Sequence, residues 1–319
     1  MNLFENWKKS LQLDNDIYYI SKDRKFTFNE EEYGSHIDLS SKEYGQGILQ
    51  ILEEEKTITN GYAFEIGCGN GLVSVSLSQV NQFKEFIISD ASSDFVKICK
   101  RNVDKYSNNT KNISYAVFNG DDLNKLPNNT FSLIIMANAL HHINHFEDFI
   151  ILIEKKLTHN GVFICQEPIS DGFMSLALIA KSYLSFTKKI DKVLKMRLEE
   201  IANFIANSNR RDIDKSELED KHIFNIYELQ NIASNANLKL QVYPNMSLGS
   251  LASGVKNIKN KQTSFSIMAK DYIKFCLNWE EKIKQEIYTL FDEVFQYYDT
   301  AYSNSFYPPI SGVFSFKKL

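Results

Sequence analysis

The chain has 319 residues, and its shares of 43% hydrophobic and 13% aromatic side chains suffice for one large domain or two small ones with a substantial core. Its 36 basic and 40 acidic side chains give a formal charge of −4, and no basic stripe dominates, which argues against nucleic acid as a partner. No apolar window approaches the ~18 residues of a membrane span, and the N-terminus lacks a charged segment followed by an apolar run, so neither a span nor a signal peptide is expected.

Residues 1–58 precede the first strong strand. Ile17–Ile20 and Lys25–Phe28 read as short extended pieces. Ser40 and Ser41 are the expected N-cap candidates for a helix running through Glu54, with Glu43 near its first turn.

Tyr62 to Ile66 is a short apolar strand. Gly67-Cys68-Gly69-Asn70-Gly71 follows, and Leu72 to Val80 continues as a helix. Such a turn bends tightly, lets a ligand approach the backbone, and presents the free N–H groups of a helix start. A dinucleotide fingerprint would carry its third glycine at position 72, which is Leu72; here the third glycine is Gly71. Glu65 stands two residues before the first glycine. A carboxylate there would repel a pyrophosphate and attract a cationic amino group or sulfonium. Phe86–Asp90 is a second apolar run ending in an acid. Asp90 lies 19 residues after Gly71, close to the spacing at which a strand-two acid meets ribose hydroxyls, and a carboxylate accepts from two hydroxyls at once.

Through these residues the chain resembles the class I S-adenosylmethionine-dependent methyltransferases, in their small-molecule branch, whose first motif is an acid, one residue, then Gly-x-Gly-x-Gly. The resemblance implies an α/β fold: a doubly wound, mostly parallel seven-stranded sheet with an antiparallel last strand. It implies S-adenosyl-L-methionine as cofactor, held by Glu65, Gly67, Cys68, Gly69, Gly71, Asp90 and Ala91. After a third strand, Ile113–Phe118, it places the adenine-amino contact at Asp121 of Asn119-Gly120-Asp121-Asp122, with Asp122 as the alternative. Strand four, Phe131–Asn138, carries Ser132 where the family usually has Asp, and its last residue, Asn138, completes the cofactor set. Leu157–Ile164 resembles the turn into strand five, with one glycine kept. The resemblance covers about residues 60–168, extends weakly to Phe224–Tyr243 and the last strand, and leaves the rest unexplained. It also implies an N-terminal segment that closes over cofactor and substrate, lined by Tyr33, His36 and Tyr44.

Beyond strand five the regular alternation stops. Ser175 to about Asn207 carries helical apolar spacing, with Leu176, Ile179, Tyr183, Phe186 and Ile190 among its apolar positions. The basic run from Lys188 to Arg197 within it reads as a solvated helix face. Ser208–Asp220 reads as loop, Ile226–Ala236 as helix and Leu238–Tyr243 as strand six. An aromatic-rich helical pair follows, around Ser266–Trp279 and Glu280–Tyr298, before a last strand at Gly312–Lys317. The expected organisation is a lid segment at 1–58, a cofactor core at 59–168, a helical cap insertion at 169–223, a core helix and strand at 224–244, a second helical insertion at 245–308, and the final strand at 309–319. The insertions read as a cap over a small-molecule acceptor; a homodimer surface is the other reading, and the two are compatible.

The ionisable-rich point near the expected methyl group is Ala139-Leu140-His141-His142-Ile143-Asn144-His145, after strand four. A neutral imidazole is a base at cytosolic pH. Strand five ends at Gln166-Glu167-Pro168, so a carboxylate stands on a neighbouring strand end. His142, or failing that His141, is expected as general base with Glu167 as its orienter. In some small-molecule methyltransferases a histidine at this point works with an acid after strand five. His141, His142 and His145 with Glu147 or Asp148 make a poor metal set, because adjacent histidines seldom point at one ion; no metal is expected. The scattered cysteines Cys68, Cys99, Cys165 and Cys276 have no ligand spacing and point to a reduced, cytoplasmic setting. Transfer to oxygen of a small acceptor is the first reading. An amine or protein side-chain acceptor, or a non-catalytic cofactor-binding subunit, are its rivals.

Overall fold

The computed structural model describes residues 3–28, 38–80, 82–252, 264–275, 279–301 and 308–319; Tyr33 and His36 lie outside them. Along the chain run α1 (Leu3–Lys9), β1 (Gln12–Asp14), β2 (Ile17–Tyr19), α2 (Glu43–Glu54), β3 (Tyr62–Ile66), α3 (Leu72–Val80), β4 (Glu85–Asp90), α4 (Ser93–Tyr106) and β5 (Ile113–Val117). Next come β6 (Phe131–Ala137), α5 (Phe146–Lys156), β7 (Leu157–Pro168), α6 (Ser170–Phe186), α7 (Lys192–Asn209), α8 (Ile226–Asn235) and β8 (Leu238–Pro244). The last elements are α9 (Leu248–Leu251), α10 (Phe265–Phe275), α11 (Glu281–Ala301) and β9 (Ser311–Lys318).

The strands form one sheet in the order β1-β2-β5-β4-β3-β6-β7-β9-β8. From β2 through β7 neighbouring strands are parallel, while β9 runs antiparallel to both β7 and β8. The seven expected strands are all present. The two additional ones belong to an N-terminal hairpin, whose β2 pairs in parallel with β5. Its tight turn is made by Asn15 and Asp16, both at positive φ, 48° and 65°, as a two-residue hairpin turn requires and as Asn and Asp tolerate. Lys25–Phe28, expected as a short extended piece, has no strand pairing. The chain order reverses between β3 and β6, so the carboxyl ends of those strands flank the crevice where open α/β sheets bind ligands.

Two apolar layers sandwich the sheet. Phe64, Phe118, Phe163 and Phe314 face α5 and α8 with Phe146, Ile150 and Leu229. Ala63, Ile88, Leu133 and Ile164 face α2, α3 and α4 with Ile48, Val75 and Val96. A third core lies among α6, α7, α10 and α11, where Phe173, Leu198, Phe265, Ile287, Phe291 and Phe295 are buried together. Each such side chain contributes about 1.5–3 kcal/mol on burial, so the helical insertions form a packed layer of their own. The apolar run expected across Ser175–Asn207 is two helices. Asp191 breaks it by capping α7, accepting from the N–H groups of Val193 at 2.9 Å and Leu194 at 3.2 Å.

The N-terminal segment is divided. Phe4 of α1 stacks on Tyr62 at the start of β3, with ring centres 3.9 Å apart, so α1 sits at the amino edge of the sheet. After Ile20 the chain reaches the carboxyl edge, where Ser21 N–H donates to the Val117 carbonyl at 3.1 Å.

Candidate active site

The glycine turn is shaped by backbone conformation. Gly67, Gly69 and Gly71 have φ of 78°, 50° and 93°, a region costly for side-chain-bearing residues. A Cβ on Gly67 would stand 2.8 Å from the Ala139 Cβ, and one on Gly71 would stand 2.9 Å from the Cys99 Sγ. The turn is held to β4: Gly67 and Cys68 N–H both donate to the Ser89 carbonyl at 2.9 Å. Gly69 N–H donates to Asp90 Oδ2 at 3.0 Å, and Ser92 N–H to Asp90 Oδ1 at 3.1 Å. Asp90 therefore fixes the turn while each carboxylate oxygen keeps acceptor capacity for a ligand. Burial pushes its carboxyl up, against the hydrogen bonds from Gly69 and Ser92.

Glu65 is buried on β3 and accepts from Ser74 Oγ at 2.6 Å. Burial pushes it up to about 8, although the Ser74 bond works the other way. No basic side chain neutralises it among the contacts of the described residues. Such a carboxyl ionises readily only when a cation arrives.

The adenine-side residues are partly engaged. Asp121 is half-exposed and pairs with Arg24 at 3.4 Å; Asp122 pairs with Lys125 at 2.9 Å. Arg24 N–H donates to the Ala91 carbonyl at 2.9 Å. Asp23 accepts from Ser93 N–H at 2.9 Å and Ser93 Oγ at 2.7 Å, and Lys25 reaches Asp94 at 3.0 Å. Residues 20–28 thus form a strap across the ends of β4 and β5, which sequence reasoning missed because loop charges carry no motif. Tyr44, half-buried on α2, borders a cleft of about 530 Å3 shared with Glu43, Gln46 and Ser247; the cleft touches neither the glycine turn nor the histidines.

On the other side of the crevice, Asn138 follows β6 at φ 53° and donates its N–H to the Gln166 carbonyl at 2.8 Å. A 3-10 turn, Leu140–His142, comes next. Glu167, fully buried at the end of β7, anchors it: Oε1 accepts from Ala139 N–H at 3.0 Å and Leu140 N–H at 2.7 Å, while Oε2 meets His141 Nδ1 at 2.6 Å. Glu167 is thus brought to His141, not to His142. A 3-10 turn rotates adjacent side chains by about 120°, so only one of the pair can face β7.

His141 is also 3.3 Å from Asp220 through Nε2. Burial opposes its charge, but the carboxylates of Glu167 and Asp220 outweigh that and push it up to about 10. It is an imidazolium at neutral pH with both nitrogens occupied. His142 is half-exposed, and its Nδ1 lies 2.8 Å from the Glu219 carbonyl. A carbonyl only accepts, so Nδ1 carries the proton and Nε2 keeps the free lone pair. The His142 ring centre is 4.1 Å from that of His141. The atoms of His141, His142 and Asp220 converge within 4.8 Å; His145, Glu147 and Asp148 are not in that cluster.

Residues 64–165 match the sequence profile of a family described as a methyltransferase domain. A bifunctional methyltransferase of Rickettsia typhi is 28% identical over 146 residues, which is 46% of this chain and 27% of that protein; the chain matches only about a quarter of that relative's length. A Galdieria sulphuraria protein provisionally assigned as a sarcosine dimethylglycine methyltransferase superposes with a TM-score of 0.50 at 11% identity, covering 86% of this chain and 84% of that one. Haemonchus contortus phosphoethanolamine N-methyltransferase 2, in complex with phosphomonomethylethanolamine and S-adenosylhomocysteine, gives 0.45 at 11% identity, over 85% and 51% of the two chains. No helix among the described residues is long and apolar enough to cross a membrane.

Proposed function

The chain belongs, through residues 64–165, to the class I S-adenosylmethionine-dependent methyltransferases, and from that premise we propose that it methylates an oxygen of a small organic acceptor, with His142 as general base. The carrying observation is the His142 ring, whose Nδ1 is tied to the Glu219 carbonyl at 2.8 Å while Nε2 has no hydrogen-bond partner among the described residues.

The residues present fit S-adenosylmethionine. The three positive-φ glycines leave the backbone approachable, Asp90 retains acceptor capacity for the ribose, and buried Glu65 awaits a cation such as the methionine ammonium. Asp121 and Asp122 stand at the adenine end, where Arg24 competes for Asp121. When bound, the donor would supply an electrophilic methyl group, the carbon–sulfur electron pair staying with sulfur as the acceptor oxygen forms the new bond. The protein orients the acceptor, excludes water and takes the acceptor's proton on His142 Nε2. Glu167 holds the turn that carries the base, and the helical insertions form the cap that selects the acceptor.

Transfer of label from the donor to members of a panel of phenols, alcohols, carboxylic acids and amines tests the reading. A phenol or alcohol should be labelled. His142→Ala should lower turnover by about 10²–10⁴-fold, with cofactor affinity nearly constant. If only amines are labelled, or the loss is below about three-fold, far short of that range, the base assignment fails and an amine acceptor takes the lead.

A further inference from the structure

The linker between α7 and α8 is docked on the histidine turn. Lys221 N–H donates to the His141 carbonyl at 3.0 Å, and Phe224 N–H to the Pro168 carbonyl at 3.0 Å. His222 Nε2 donates to the Asn144 carbonyl at 3.2 Å. The linker is also closed on itself: buried Lys215 donates through Nζ to the carbonyls of Ser208 and Lys221, each at 2.7 Å.

This docking delivers two groups to the site. One is the Glu219 carbonyl on His142. The other is Asp220, a single oxygen of which, Oδ1, lies 3.3 Å from His141 Nε2 and 3.6 Å from His142 Nδ1. The same carboxylate oxygen therefore faces both imidazoles. His141 is enclosed by Glu167 from β7, Asp220 from the linker and His142 on its own turn. His142 faces His141, Asp220 and the Glu219 carbonyl.

We propose that Asp220 is a positioning residue for the base: it holds His141 with both ring nitrogens engaged and, by tying the linker to that ring, keeps the Glu219 carbonyl on His142 Nδ1, so that Nε2 is the nitrogen presented to the acceptor. This rests on His142 as the base. The chemical need is specific. When His142 takes the acceptor's proton it becomes a second cation beside the His141 imidazolium, and like charges at that range oppose each other. Asp220, placed against both rings, offsets the repulsion at the moment it arises. Because Asp220 reaches the rings on a linker from the helical layer, the acid–base pair is complete only when that linker is docked.

Long-range proton–nitrogen NMR of the imidazole rings tests this on the full, ligand-free chain without any acceptor, with His141→Gln and His142→Gln to assign the signals. Near neutral pH, His141 should be doubly protonated and His142 protonated on Nδ1 alone. Asp220→Asn keeps the shape but removes the charge. It should lower the His141 titration midpoint by about one to three units, the usual effect of losing an adjacent opposite charge, and mix the two His142 tautomers. Asp220→Glu should restore most of both signatures. If Asp220→Asn does not fold by circular dichroism, Asp220→Ser carries the same expectation. Unchanged His141 titration and an unchanged His142 tautomer in the neutral variant would overturn the proposal. Failure of the acceptor panel would leave these spectra as they are, so the two readings fail separately.

Discussion

The two sides of the crevice are built by different means. On the β3–β4 side the contacts of the glycine turn close within one strand–helix–strand unit: Gly69 reaches Asp90 over 21 residues and Ser74 reaches Glu65 over 9. On the β6–β7 side the histidine turn takes its partners from farther away, Glu167 at 26 residues from His141 and the Glu219 carbonyl at 77 from His142. A short-range site can be written as a motif because every contact recurs at fixed spacing. A site finished by a docked linker has no such spacing, and its chemistry depends on how an insertion packs.

The sharpest way to break this contrast is to disturb one side and read the other. Gly69→Val forces a β-branched residue to φ near 50° and displaces the N–H that holds Asp90. Calorimetry should show essentially no binding of S-adenosylmethionine, while circular dichroism and the His141 and His142 signals stay as in wild type. Altered histidine spectra would mean that the sides are coupled through the core.

Asp90→Ala is expected to act less severely. It removes a ribose contact and the bonds to Gly69 and Ser92. Hydrogen bonds to charged groups are worth about 1.5–3 kcal/mol, so affinity should fall roughly ten- to a hundred-fold. Unchanged affinity would remove Asp90 from the cofactor site.

Glu65→Gln should move binding and stability in opposite directions. The folded-state pKa is raised to about 8 from 4.5, so the carboxyl destabilises the folded, ligand-free chain increasingly as pH rises through that interval. Gln keeps a partner for Ser74 without the charge. The variant should gain about 1–3 kcal/mol at neutral pH and nothing below about pH 4.5, and bind the cofactor more weakly. Wild type should also release a proton on binding near neutral pH, measurable as a calorimetric heat that depends on the buffer. Urea midpoints equal at neutral pH, with no buffer dependence, would remove the cation role from Glu65.

Much of the sheet was legible in the sequence because its signals are local. The run from Tyr62 to Leu72 has apolar strand, glycine turn and helix start in fixed order, strands near 86, 113, 131, 238 and 312 announce themselves in their residue pattern, and the turn into strand five at Leu157–Ile164 is legible through the family resemblance. Of the hairpin at Asn15-Asp16, the second strand lies within the extended piece read at Ile17–Ile20, while its partner, Gln12–Asp14, went unread because it is only three residues long. The strap carrying Arg24 and the linker carrying Glu219 and Asp220 went unread for another reason. Both are polar loops whose partners are chosen by tertiary docking. The pair His142–Glu167 was a reasonable expectation from strand order, but which of two adjacent histidines faces β7 is decided by the turn at Leu140–His142, and that turn was not visible in the spacing.

The smallest expected effect concerns His141 and the linker side alone. Its folded pKa lies near 10, above the ordinary 6.5, because the carboxylates of Glu167 and Asp220 outweigh the cost of burial. A raised pKa contributes stability that is complete below about 6.5 and is lost as pH climbs through about 10. Glu65 and Lys215 titrate close to this range, so wild type alone would mix three groups. The difference between wild type and His141→Gln isolates one. Urea midpoints for the two should be farthest apart near pH 6 and converge toward about pH 10, with a gap of about 1–2 kcal/mol at the acidic end, the scale of a hydrogen bond to a charged group. Repeating the series on Glu65→Gln should leave that gap unchanged, because separated sites with no shared partner add. A gap that stays constant from pH 6 to pH 10 would mean that His141 is held by packing and not by its charge, and the linker side would then be no more electrostatic in construction than the glycine turn.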